Sequence, residues 1–236
     1  MHVDKGMGFG MGRDREKGME EEKVFFDCGD IKLEGILTLT KTHSPAPAVV
    51  VCHPHPEYGG NMHNNVVTGI THTLSKQGFI TLRFNFRGVG DSEGTYGGGV
   101  EEIKDVKGAI DFLSEGVQNF EPLSETNGIF LVGYSFGAMV GLQVAAKDDR
   151  ITGWVGISPP VAMYDFSFLK GSSKPKLLLL GDSDFVCPRE DMEKLFDSLQ
   201  EPKSMSVIPG ADHFFWGKEE TVAEHVLNFL CRGSKF

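Results

Sequence analysis

Apolar residues in this chain fall into short unbroken runs, separated by stretches where they recur every three or four positions. The runs Ala48-Val49-Val50-Val51-Cys52, 129–132, 154–157 and 176–180 are apolar almost throughout, the pattern of parallel strands covered on both faces. Residues 79–86 and 204–208 read as two further strands. Between the runs, four groups step at helical spacing: Val66, Val67, Ile70 and Leu74; Val100 to Val117; Ala138 to Ala146; and Val222, Val226 and Phe229. A fifth helix is expected over 189–199. Residues 23–41 hold two strand-like runs around Gly29-Asp30, the composition of an antiparallel hairpin at a sheet edge. Strands alternating with helices at this pace predict an α/β fold. Its sheet is doubly wound and mostly parallel, with helices on both faces, an antiparallel N-terminal hairpin and no large lid. Residues 1–20 mix Gly, Met and alternating charge without an apolar core, so they are assigned to a disordered tail rather than a secretory signal. Residues 21–236 then form one domain.

Composition narrows the function classes. A net charge of −10 over 236 residues argues against a nucleic-acid or anionic-membrane surface. No apolar run approaches the length of a membrane span. Cys28, Cys52, Cys187 and Cys231 are scattered without paired spacing, as expected of reduced thiols in a cytoplasmic protein. Arg87-Gly88-Val89-Gly90-Asp91-Ser92-Glu93-Gly94 is not a dinucleotide loop, because the third glycine of that pattern falls on Glu93. No cofactor is called for, and nothing in the composition sets an oligomeric state.

The chemistry is concentrated at strand ends. Gly133-Tyr134-Ser135-Phe136-Gly137 lies between a predicted strand and a predicted helix, the context of a nucleophile elbow. Glycine is required at its ends because the turn brings backbone too close for a side chain. A serine hydroxyl is a weak nucleophile, so Ser135 needs a base, and the base needs a carboxylate to orient it. Strand 176–180 runs into Gly181-Asp182-Ser183-Asp184, and strand 204–208 into Asp212-His213. Ser135, Asp184 and His213 form a candidate triad, with Asp182 as the second choice of acid and Asp212 as a loop-stabilising carboxylate. Two backbone amides are expected to form an oxyanion hole: that of Phe136, after the nucleophile, and that of His55, since Pro54 and Pro56 have none. His53, Tyr58, Tyr134, Phe185 and Phe214 are candidates for lining a substrate pocket. Phe136 and Phe215 could share that role, though such aromatics are as often core. His53, His55 and His63 invite a zinc reading, but a rigid proline loop beside the oxyanion hole accounts for them without a metal.

These stretches carry a resemblance. HPHPEYGGNMHNN, RFNFRGVGDSEG, GYSFG, GDSDFVCP and GADHFF together resemble the α/β-hydrolases over nearly everything from Lys23 onward. More narrowly they look like the small lidless group related to dienelactone hydrolases and serine aminopeptidase-like hydrolases. The resemblance implies that the acid is Asp184, three residues after the strand-ending Gly181. Dienelactone hydrolases use a cysteine nucleophile where this chain has Ser135, so their substrate is not implied. Glu101 stands where a glycine is expected, in a loop read as lying apart from the chemistry. The expected activity is serine hydrolysis of a small ester or thioester through an acyl-enzyme. The alternatives are a peptidase or amidase of the same fold and a non-catalytic binding member.

Overall fold

The computed structural model describes residues 19–40, 46–115 and 128–233. Eight strands form one sheet: β1 (Met19–Cys28), β2 (Ile31–Thr40), β3 (Ala48–Cys52), β4 (Ile80–Phe84), β5 (Ile129–Tyr134), β6 (Ile151–Ile157), β7 (Lys176–Gly181) and β8 (Lys203–Ile208), in spatial order β1-β2-β4-β3-β5-β6-β7-β8. The hairpin β1–β2 is antiparallel and joins the sheet through an antiparallel β2–β4 pairing, while every other pairing is parallel. Strand β1 begins at Met19, inside the stretch assigned to the tail, because residues 19–22 continue the ladder with 37–40. Residues 1–18 lie outside the described residues, as does Val117.

The unbroken apolar runs are explained by two cores. Side chains alternate across a strand, so Val49, Val51, Leu177 and Leu179 pack under α1 (Asn65–Lys76) and α5 (Glu219–Gly233). Val50, Cys52, Leu178 and Leu180 face the other way, where α2 (Glu102–Ser114), α3 (Phe136–Ala145) and α4 (Arg189–Ser198) contribute Val106, Ile110, Leu142 and Met192. The segment between β6 and β7 holds only a short 3-10 turn, Ser167–Gly171, tucked in by Phe166 and Leu169, so no lid domain is inserted there.

Two element ends differ from the periodicity, each for a tertiary reason. Strand β4 ends at Phe84: the Asn85 amide still donates to the Glu34 carbonyl of β2, but the next amide, that of Phe86, turns away to the His53 ring. Helix α2 begins at Glu102 rather than near Val100, which is exposed. The buried Glu102 carboxylate accepts from the amides of Gly97 and Gly99, at 2.6 and 2.8 Å, and holds those residues as a loop.

Packing is close where β5 turns into α3. A β-carbon on Gly137 would sit 2.3 Å from the Cys52 carbonyl oxygen. Both partners are backbone on central elements and cannot give way. Gly137→Ala should cost at least about 2 kcal/mol and lower Tm by roughly 5 °C or more. Gly171→Ala, with nothing within 4 Å of the added carbon, should leave Tm almost unchanged. Calorimetry on both variants checks this, and equal melting temperatures would contradict it.

Candidate active site

Ser135 occupies the corner between β5 and α3 with φ 54° and ψ −116°, a conformation that costs a non-glycine residue on the order of 1–3 kcal/mol. Its amide is anchored to the Ile157 carbonyl at 2.9 Å, so β6 holds the strained residue in place. The turn presents the hydroxyl at the carboxyl edge of the sheet, at the N-terminus of α3. Ser135 Oγ lies 2.9 Å from His213 Nε2.

His213 follows β8 on a loop pinned from several directions. Its carbonyl accepts from the Tyr134 hydroxyl at 2.7 Å, and the neighbouring Phe214 amide donates to Asp212 Oδ1 at 2.9 Å. Asp182 Oδ1 accepts from the Gly210 amide at 2.9 Å, which ties the loop after β8 to the loop after β7. Asp182 and Asp212 thus serve as loop braces, whereas both Asp184 oxygens stand 3.0 Å from His213 Nδ1. Asp184 Oδ1 also accepts from the amides of Val186 and Cys187, at 2.9 and 2.8 Å. Burial pushes the Asp184 carboxyl's pKa up, but the hydrogen bond and charge of His213, with the Cys187 amide, outweigh it and hold the group below its ordinary value. The structure therefore brings Ser135, His213 and Asp184 into one hydrogen-bonded line. All three are nearly buried.

Two backbone amides are left without an acceptor among the described residues. Phe136 is the first residue of α3 and has no intrahelical acceptor, and the His55 amide makes no hydrogen bond among the described residues. The loop carrying His55 is set by His53. The His53 Nε2 accepts from the Phe86 amide at 3.1 Å, so the ring proton sits on Nδ1 and is donated to the Pro54 carbonyl at 2.6 Å. Complete burial pushes the His53 pKa down to about 4. His53 is thus a buried strut beneath the loop, correcting its expected place in a pocket. Tyr134 is corrected too: it is the last residue of β5, packed on Phe215 in the core.

The exposed candidates stand beside histidine rings. Phe185 and Phe214 lie 6.2 and 5.7 Å from the His213 ring, and Tyr58 packs on the His55 ring at 4.6 Å. Both ring nitrogens of His53 and of His55 are engaged, so neither presents a lone pair to a metal. A separate cavity of about 410 Å³, lined by Glu34, Asn61, His63, Asn85, Val89, Gly90 and Asp91, includes none of the three aligned residues. Lys23 bridges Glu34 and Asp91 there, at 2.7 and 2.6 Å.

The pattern of the chain does not single out Tyr96, and places its loop apart from the chemistry. The structure instead places its hydroxyl 3.1 Å from His55 Nε2, with its ring 5.9 Å from that of Phe136. The one available signal was position, since the loop follows a central strand at the carboxyl edge where ligands collect. No described helix is long and apolar enough to cross a membrane.

Because His53 is neutral in the fold and carries an ordinary pKa near 6.5 when unfolded, the unfolded chain takes up a proton that the native one refuses. The resulting stability is complete above pH 6.5 and is lost as pH falls toward 4, by up to about 1.4 kcal/mol per unit. His53→Gln should therefore melt with a shallower pH dependence than wild type between about pH 7 and about pH 4.5. Parallel Tm profiles would contradict that origin.

Comparison with known proteins identifies the family. The family model for serine aminopeptidases, S33, matches residues 43–171. An uncharacterized Rickettsia prowazekii protein, RP471, is 36% identical over 217 residues, covering 88% of each chain. An alpha-beta serine hydrolase homologue from Coxiella burnetii superposes with a TM-score of 0.79 at 33% identity, over 89% of this chain and 97% of that one. XC6422 from Xanthomonas campestris, a serine hydrolase without a lid, superposes with a TM-score of 0.78 at 27% identity, over 90% and 94% of the two chains. With its sheet order, its elbow and these relatives, the chain belongs to the serine aminopeptidase S33 family of the α/β-hydrolase superfamily.

Proposed function

We propose that the protein is a serine hydrolase that cleaves small carboxylic esters or thioesters through an acyl-enzyme on Ser135. The observation that carries the reading is the imidazole of His213, bonded to Ser135 Oγ at 2.9 Å on one side and to Asp184 at 3.0 Å on the other. Asp184 accepts a hydrogen bond from the protonated Nδ1, which leaves the Nε2 lone pair facing the hydroxyl. His213 takes the Ser135 proton as Oγ attacks the carbonyl carbon, and the oxyanion is met by the amides of Phe136 and His55. Collapse of the tetrahedral intermediate breaks the bond to the leaving group, which receives the proton from His213 Nε2. Water, activated by the same imidazole, then releases the acid. Asp184, held in its charged form, stabilises the imidazolium throughout.

Small substrates suit a site that no inserted domain covers and whose neighbouring aromatics Phe185, Phe214 and Tyr58 are exposed. The membership in an aminopeptidase family favours a second reading, amide cleavage by the same groups. A panel of p-nitrophenyl esters, acyl-thioesters and aminoacyl p-nitroanilides separates the two. Four free cysteines, three of them buried, suit action in the cytoplasm.

Wild type should label with a fluorophosphonate probe and Ser135→Ala should not; a folded wild type that takes no label would sink the enzyme reading in favour of a binding member. Asp184→Asn should lower kcat by roughly 10³- to 10⁴-fold. Asp182→Asn should cost far less, its effect passing through loop stability. The reverse order in steady-state assays would move the acid to Asp182.

A further inference from the structure

The phenol of Tyr96 makes one hydrogen bond, to His55, and the direction of that bond is fixed. His55 Nδ1 accepts from the Glu57 amide at 3.2 Å, so the ring proton of His55 must be on Nε2. Nε2 therefore donates to Tyr96 Oη at 3.1 Å, and the Tyr96 hydroxyl hydrogen is left without an acceptor among the described residues. Burial, with the nearby charges of Glu102 and Glu57, raises the Tyr96 pKa, while burial lowers that of His55. The pair is a neutral donor array.

The loop that presents this hydrogen is held rigid. Glu102, fully buried, clamps the amides of Gly97 and Gly99, and the backbone of Thr95 and Tyr96 packs within about 3 Å of where a β-carbon on Gly88 would stand. One residue before Gly88, Arg87 is locked to the buried Asp105 at 2.6 Å. The tyrosine ring is thus preorganised over Phe136, beside the His55 loop.

Chemistry assigns this side of the site to the acyl group. In the proposed mechanism His213 protonates the leaving group, so that group must lie beside the imidazole, where Phe185 and Phe214 stand. The wall across from the imidazole, where Tyr58, Tyr96 and Phe136 pack around the His55 ring, is then left to the acyl group.

We propose that Tyr96 is a specificity-determining residue that donates a hydrogen bond to an oxygen atom in the acyl group, with His55 as its positioning residue, so that oxygen-bearing acyl esters are preferred over alkyl ones. This rests on the serine hydrolase reading above. The test uses two esters of matched length, p-nitrophenyl methoxyacetate and p-nitrophenyl butyrate, which differ by an ether oxygen in place of a methylene. The kcat/KM ratio of the first to the second should fall about three- to tenfold in Tyr96→Phe, the range set by one neutral hydrogen bond. His55→Phe, which keeps a ring but loses the bond, should move the ratio in the same direction. A merely structural role for Tyr96 would lower both rates together and leave the ratio where it was, which overturns the inference. If wild type takes the fluorophosphonate label and turns over both esters but the ratio does not respond, this inference alone fails. If wild type neither labels nor turns over either ester, the hydrolase reading fails and takes this one with it.

Discussion

One imidazole has to touch two groups that the chain delivers from different strands. Ser135 comes from the end of β5, Asp184 from the end of β7 and His213 from the end of β8. In a parallel sheet these ends share one edge, and the order β5-β6-β7-β8 spaces them so that a single ring bridges hydroxyl and carboxylate. The requirement reaches far into the fold. Ser135 is strained and held by Ile157 of β6, Gly181 approaches Ala211 so closely that no β-carbon fits, and Asp182 ties the two outer loops together. Tyr134, immediately before the nucleophile, reaches through the core to hold the His213 carbonyl.

The opposite wall obeys the same logic with different groups. His53 is sacrificed to structure: buried and neutral, it fastens the proline loop to the end of β4 and so fixes where the His55 amide stands. His55, two residues on, leaves its amide without an acceptor among the described residues and commits its ring to Glu57 and Tyr96. Burying an uncharged imidazole makes the fold sensitive to acid, and the return is a loop with little freedom.

Much of this was legible along the chain, where the constraint is local. Gly133 and Gly137 bracket Ser135 because the elbow admits no side chain, and that demand is written into five consecutive residues. Asp184 and His213 could be found because strand ends are visible as the ends of apolar runs. What the pattern could not reach depends on contacts between distant loops. His53 and His55 look alike in sequence, and only the Phe86 amide and the Tyr96 hydroxyl separate the strut from the site wall. Tyr134 reads as a pocket aromatic until strand alternation turns it into the core. Val100 keeps helical spacing with Ile103, yet the Glu102 carboxylate claims the preceding amides and holds the helix start back.

The central claim is that this geometry makes a nucleophile of one hydroxyl. Acid-quenching the enzyme during turnover of p-nitrophenyl butyrate, followed by intact-mass and peptide mass spectrometry, tests it directly. The account predicts a species heavier by one butyryl group, with the modification on the peptide that contains Ser135. Turnover accompanied by no acylated species under conditions where deacylation is slowed, or acylation located on another residue, would contradict it.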